Sequence, residues 1–218
     1  MAARRNQWAS FLTEAASDVR RLNSVDRFSS IPVRERESVA LHSYWVVLYS
    51  LMLHRRLDGP GEALGSLLSY AAVHDLPECL TGDVVRTFKY SSGEFREAVQ
   101  AAEHSMVERL PKPVLSMLRR AESMSGDGTW EHGWYVETVA KAADFLSLYQ
   151  YLMRELRGGN SDIGPFVKAM RADMNKMRKK VSESFRPAAD PRRSRILTEL
   201  ADLYKSMSTL SVKPKFVL

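Results

Sequence analysis

Apolar positions recur every three or four residues through most of the chain, and no stretch shows the alternation of a half-buried strand. The pattern predicts a helix over about 6–22 and a second over about 38–57, where Val39, Trp45, Val46, Tyr49 and Leu53 share a face. A third runs over about 61–74 and stops near Pro77, since proline disfavours helical geometry in the residue before it. Residues 76–90 contain Pro77 and Gly82 and read as an irregular turn. Ser91 followed by Glu94 forms a capping box that opens a helix to about Leu110, and a short helix follows Pro113. After the loop at 124–130, a long helix from about Glu131 ends at Gly158-Gly159-Asn160. Two more helices are predicted over about 162–185 and 191–208, with Pro191 near the first position of the last and an irregular tail after it. No repeat or long linker divides the sequence, so the expectation is a single all-α domain over 1–218.

Composition narrows the setting. Of the 218 residues, 44% are hydrophobic and 27% charged, the balance of a soluble globular protein. No apolar run approaches the ~20 residues that span a bilayer, and the basic start lacks the apolar core of a secretory signal. The lone cysteine, Cys79, excludes an internal disulfide and fits a reducing compartment, so a cytoplasmic location is expected. A net charge of +6 favours anionic partners such as phosphates and nucleotides. Much of the excess lies late, in Lys176, Arg178, Lys179, Lys180, Arg192, Arg193 and Arg195, and reads as solvated helix faces.

Candidate chemistry comes from polar residues on apolar faces. His42 has Val39 at i−3 and Trp45 and Val46 at i+3 and i+4. His74-Asp75 ends the third helix near Tyr70 and Ala71, and Asp144 lies beside Ala140, Ala143, Leu148 and Tyr151. A lone histidine on such a face is more often a satisfied core residue, and a buried carboxylate is costly unless paired or metal-bound. Taken together, two imidazoles and two carboxylates can share one divalent cation, whose charge offsets the burial of both acids. The mixed nitrogen and oxygen set suits Mn, Co, Fe, Zn or Ni, with Mg also admissible, better than calcium. Such an ion lowers the pKa of its water and polarises a phosphoryl oxygen. Glu78 and Asp83 follow closely, and either can handle the attacking water or the leaving oxygen. Arg27 and Lys89 are candidate phosphate binders. Cys79 has no evident activating histidine, and His54, His104 and His132 look peripheral.

The order H…HD…D resembles the HD superfamily, and the surrounding residues resemble its YfbR-like 5'-deoxynucleotidases more closely. The stretch His74-Asp75-Leu76-Pro77-Glu78-Cys79-Leu80-Thr81-Gly82-Asp83, then Lys89-Tyr90, matches the family pattern HDxxExxTGDxxxxxKY. Arg27-Phe28 stands fifteen residues before His42, with Arg34, Glu37-Ser38-Val39 and His42-Ser43 in the family's context. Lys141-Ala142-Ala143-Asp144 matches K-x-A-D, and the likeness runs over about 24–185, the expected core. The N-terminal helix and the C-terminal helix with its tail would flank that core.

The resemblance implies an all-α HD-domain bundle and a catalytic divalent metal on His42, His74, Asp75 and Asp144. It implies a homo-oligomer, a dimer or higher, that releases phosphate from deoxynucleoside 5'-monophosphates. Glu78 and Asp83 would serve the water and leaving group, and Arg27 and Lys89 the phosphate. Phe28 replaces the family's usual tryptophan beside the sugar, and Arg86 adds a charge within reach of further phosphates. An alternative within the fold is a phage-type triphosphohydrolase acting on dATP or another dNTP. A non-catalytic HD protein binding nucleotide or nucleic acid fits less well, since Glu78, Asp83, Arg27 and Lys89 are all present. No membrane and no stable nucleic-acid partner is expected.

Overall fold

The structure, a computed structural model, describes residues 19–83, 92–110, 112–126, 130–183 and 190–209. The predicted first helix lies outside these residues except at its end, where Arg20–Ser24 form a 3-10 turn. Arg86, Lys89 and the Ser91 cap also lie outside them, as does the C-terminal tail.

Eight α-helices and no strand are present among the described residues. They are α1 Val39–Arg56, α2 Leu64–Val73, α3 Glu78–Thr81, α4 Gly93–Val107, α5 Lys112–Ser123, α6 Gly133–Arg157, α7 Gly164–Glu183 and α8 Pro191–Thr209. The all-α expectation therefore holds, with local corrections. Ser38 caps α1, its hydroxyl accepting from the Leu41 N–H at 3.2 Å. The third predicted helix divides into a 3-10 turn, Gly61–Ala63, and α2. The supposed irregular turn contains α3, because Pro77 stands at its N-cap, where the missing N–H costs nothing. Ser92, in the position after the predicted cap, accepts from the Phe95 N–H at 3.0 Å and starts α4. The short helix after Pro113 extends over Lys112–Ser123.

α6 ends as its sequence signals. Gly159 adopts φ 87°, and the N–H groups of Gly159 and Asn160 bond back to the carbonyls of Leu156 and Glu155. A side chain at that φ would be strained, which is why glycine closes the turn.

Two apolar clusters organise the packing. The larger joins α1 (Val46, Leu53), α2 (Leu67, Ala71), α6 (Tyr135, Phe145, Leu152, Met153), α7 (Met170, Met174) and α8 (Leu200, Tyr204). The smaller gathers Leu22, Val39, Val73, Leu76, Cys79, Leu110, Val114, Leu118 and Ala121. α1 spans both, contributing Val39 to one and Val46 to the other, with His42 between them. Val73 and Leu76 belong to the smaller cluster and bracket His74-Asp75, whereas Ala143 and Phe145 of the larger bracket Asp144. The polar candidates thus lie along the seam between the clusters.

Candidate metal centre

His42 is 1% exposed, in the second turn of α1. Its Nδ1 stands 2.7 Å from a guanidinium nitrogen of Arg27 and 3.0 Å from the Ser147 hydroxyl on α6. Arginine only donates, so toward Arg27 Nδ1 accepts; coordination of a cation at Nε2 takes the other tautomer, in which Nδ1–H donates to the Ser147 hydroxyl. That Nε2 faces Asp144 Oδ1 at 3.3 Å and Asp75 Oδ2 at 3.5 Å. Burial, then the Arg27 charge, holds the His42 pKa below its ordinary value, in keeping with a neutral ring.

His74 follows the last residue of α2, where the chain turns toward α3. Its Nδ1 lies 2.8 Å from the Ala71 carbonyl, which can only accept, so Nδ1 carries a proton. Its Nε2 is buried without a hydrogen-bond partner and points at Asp75 Oδ2, 3.2 Å away. In a neutral ring, that arrangement aims a lone pair at a carboxylate, which a cation between them resolves. The electrostatics agree. Burial opposes a charged His74, yet the Asp75 carboxylate outweighs it and raises the His74 pKa. Burial likewise opposes a charged Asp75, but His74, then His42, holds its carboxyl at about 2.

One ligand atom each from His42, His74 and Asp75 lie within 4.8 Å of one another. Asp144 adjoins this trio through Oδ1, while its Oδ2 accepts from Lys141 Nζ at 2.6 Å. Burial pushes the Asp144 carboxyl up, and Lys141, then His42, more than offset it and hold the group well below the usual carboxylate range. Both acids are therefore ionised beside two ring nitrogens. The donor chemistry and the unpartnered His74 Nε2 fit a divalent cation, and the His74 Nδ1–H bond to a backbone carbonyl is the outer support such ligands commonly have.

Arg27 and Phe28 reach the seam from the segment before α1. A bridge between Asp26 and Ser38 closes that segment, and Arg27 pairs with Glu37 at 2.8 Å. Phe28 takes the left-handed φ of 57°, uncommon for a residue with a side chain. Its ring stacks on Tyr151 of α6 at 5.2 Å, and Phe166 meets it edge-on. The Phe28 N–H donates to Asp83 at 3.3 Å, so the acid after the Gly82 turn is joined to the arginine loop. Glu78 begins α3, one turn beyond Asp75.

Three supports carried no assigned role in the sequence. Ser147 lies one turn past Asp144 on the same face of α6, a spacing that offered a signal. Glu37 stood within the family-like Glu-Ser-Val run. Glu155 accepts from the N–H groups of Arg34 and Glu35 at 2.9 Å and from Asn160 at 2.7 Å, contacts more than a hundred residues apart for the first two, with no local signal. Among the histidines left aside, His54 bonds the Tyr135 hydroxyl at 2.8 Å and His132 pairs with Glu131. Cys79 is buried in the smaller cluster.

A YfbR-like 5'-deoxynucleotidase family model matches residues 16–189. The chain belongs to the YfbR-like 5'-deoxynucleotidase family. Membership makes it a nucleotide phosphohydrolase. The chain is similar to a dATP triphosphohydrolase of Salmonella phage PMBT28, 32% identical over 151 residues, which cover 65% of this chain and 68% of that one. It is also similar to a 5'-deoxynucleotidase of Erwinia tasmaniensis, 29% identical over 149 residues, covering 65% and 73%. Two solved structures share the fold. One is the HD phosphohydrolase DatZ of cyanophage S-2L bound to dA and one catalytic Zn2+ ion, with a TM-score of 0.57 and 15% identity, covering 88% of this chain and 96% of that one. The other is an HD-domain phosphohydrolase of Listeria innocua, with a TM-score of 0.59 and 19% identity, covering 94% and 86%. The family thus has its all-α HD fold here.

Proposed function

We propose that the chain is a metal-dependent 5'-nucleotidase that hydrolyses deoxynucleoside 5'-monophosphates to deoxynucleoside and phosphate. The observation that carries this reading is the trio of buried His42 with half-buried His74 and Asp75, whose ligand atoms lie within 4.8 Å of one another, His74 Nε2 facing the Asp75 carboxylate without a hydrogen bond. His42, His74, Asp75 and Asp144 would hold a divalent transition metal. Bound there, the ion supplies Lewis acidity to a phosphoryl oxygen and lowers the pKa of water.

The chain's own residues do the rest. Arg27 brings a guanidinium to the edge of the cluster and offers a phosphate two parallel donors. Glu78 and Asp83 serve the attacking water and the 5' oxygen that takes up a proton. Phe28 sets the sugar against an aromatic face already braced by Tyr151. Arg86 and Lys89, outside the described residues, complete the phosphate binding. The enzyme works as a single domain in the cytoplasm. No helix among the described residues is long and apolar enough to cross a membrane. A homo-oligomer is favoured by the outer face of α1, which exposes Leu41, Tyr44, Leu51 and Met52, an apolar stripe that a monomer rarely leaves in water.

The test is a panel of dNMPs, dNTPs and AMP, incubated with the purified protein and several divalent metals. Orthophosphate from dNMP, with AMP cleaved more slowly, is the expected result. The phage relative named as a dATP triphosphohydrolase favours a second reading, in which dNTP yields deoxynucleoside and tripolyphosphate. Tripolyphosphate from dNTP with no cleavage of dNMP would put that reading in place of the first.

A further inference from the structure

The late basic residues are mostly solvent-exposed, as expected, and several have local partners. Lys176 and Lys179 pair with Asp173 and Glu183 of their own helix. Arg192 and Arg195 bond the carbonyls of Asp58 and Leu57 after α1. Lys180 and Arg193 also line a cavity of about 290 Å³ among α2, α6, α7 and α8, whose lining includes His74 and Asp144. Lys141 lines it as well, next to Asp144. None of Arg27, Phe28, Glu78 or Asp83 lines it, so it approaches the histidine–aspartate cluster from a different side.

The volume lies at the lower limit of small-molecule sites, enough for part of a nucleotide. The lining tells which part. Arg193 lies over the Trp134 ring at 4.7 Å, so the indole face a base would stack on there is already taken. A guanidinium laid flat on an indole keeps its in-plane N–H donors for an anion. Three cations line the cavity against the carboxylates Glu137 and Asp144. A divalent ion held by His74 and Asp144 would add to the positive side.

We infer that Lys180 and Arg193 form a subsite for the β- and γ-phosphates of a deoxynucleoside triphosphate whose first phosphate lies at the histidine–aspartate cluster. This rests on the second reading above, hydrolysis of a deoxynucleoside triphosphate, and names the residues that would hold its outer phosphates. The nucleoside then lies on the Phe28 side and the polyphosphate on the α7–α8 side. Hydrolysis at the phosphorus nearest the sugar breaks its bond to the 5' oxygen. Water gives its hydroxyl to that phosphorus and its proton to the 5' oxygen, and tripolyphosphate leaves.

The test uses the metal-loaded enzyme and titration calorimetry with inorganic tripolyphosphate and with orthophosphate, beside kinetics on dATP and dAMP. Tripolyphosphate should bind the wild type at least tenfold more tightly than orthophosphate does. Lys180→Ala with Arg193→Ala should weaken tripolyphosphate tenfold or more and raise the KM for dATP, with orthophosphate affinity and dAMP turnover within twofold of wild type. Lys180 is exposed on α7, so Lys180→Glu alone spares the fold and should weaken tripolyphosphate further than Lys180→Ala. Unchanged tripolyphosphate affinity in these variants, or an equal loss for both anions, would overturn the subsite. An enzyme inert toward every nucleotide would instead defeat the proposed function, and the comparison of the two anions would still judge the subsite alone.

Discussion

The two halves of the candidate metal centre are held in different ways. His42 projects from near the start of α1 and Asp144 from the middle of α6, long helices packed against each other, with Asp144 seated in the larger apolar cluster. His74 and Asp75 stand just past the end of α2, on a turn leading to a helix of four residues, over the smaller cluster. The first half is positioned by side-chain packing along continuous helices. The second depends on a few backbone hydrogen bonds, Leu76 to Val73 and Glu78 to Asp75 among them, and on whatever charge lies between its imidazole and carboxylates. A binding site gains precision from rigid helices. The half at a helix end is the one a cation has most to organise.

The largest test of that contrast is removal of a ligand from the weaker half. Asp75→Ala should cost about a thousandfold in hydrolysis, roughly 4 kcal/mol, with loss of bound metal by elemental analysis. Full activity in that variant would dissolve the site altogether. Next come the two cores. Leu152→Ala in the larger cluster and Leu118→Ala in the smaller should each destabilise the fold by about 2–5 kcal/mol. Below the melting temperature, chelator titration should show weakened metal binding in Leu118→Ala alone. Equal metal affinities would mean that the smaller cluster does not govern the dyad. Glu78→Ala, one turn beyond Asp75, should lower turnover about a hundredfold and leave the metal in place. An empty site in that variant would make Glu78 a ligand and enlarge the weaker half.

The smallest effect concerns the clamp on the arginine loop. Burial would push the Glu155 carboxyl up, but the Asn160 amide and then the N–H groups of Arg34 and Glu35 hold it below its ordinary value. A depressed carboxyl contributes stability above its unfolded pKa of about 4.3 and loses it as pH falls through the folded value. Glu155→Gln should therefore cost about 1–3 kcal/mol at pH 7. The gap to wild type should close as the solution is acidified into the range below pH 4, as thermal melts would show. A gap that stays constant with pH would show that the carboxylate charge contributes nothing to the clamp.

Much of this was legible in the sequence because the relevant information is periodic. His42 and Asp144 stand out as polar residues at apolar helical positions, and their helices lie where that spacing puts them. Gly158-Gly159-Asn160 announced the end of α6 by the conformation only glycine takes cheaply. The four-residue α3 leaves no signal in the sequence, since one turn of helix is too short to show a period. Ser91 and Ser92 are chemically identical as caps, and tertiary placement decides between them. The partners of Glu155 and the stacking of Phe28 on Tyr151 join segments far apart in the chain. No local pattern encodes them.

One consequence follows from Asp144 and Glu155 sharing α6. The helix carries one proposed ligand and, about 16 Å farther along its axis, the carboxylate that grips the segment bearing Arg27. α6 thus works as a gauge rod: the distance between the ion and the arginine's anchor is cut into its length. A single residue inserted between 144 and 155 would rotate the clamp by about 100° and lift it by about 1.5 Å. The four proposed ligands would stay in register while the arginine loop lost its mooring. Length, as much as residue type, is what α6 has to preserve.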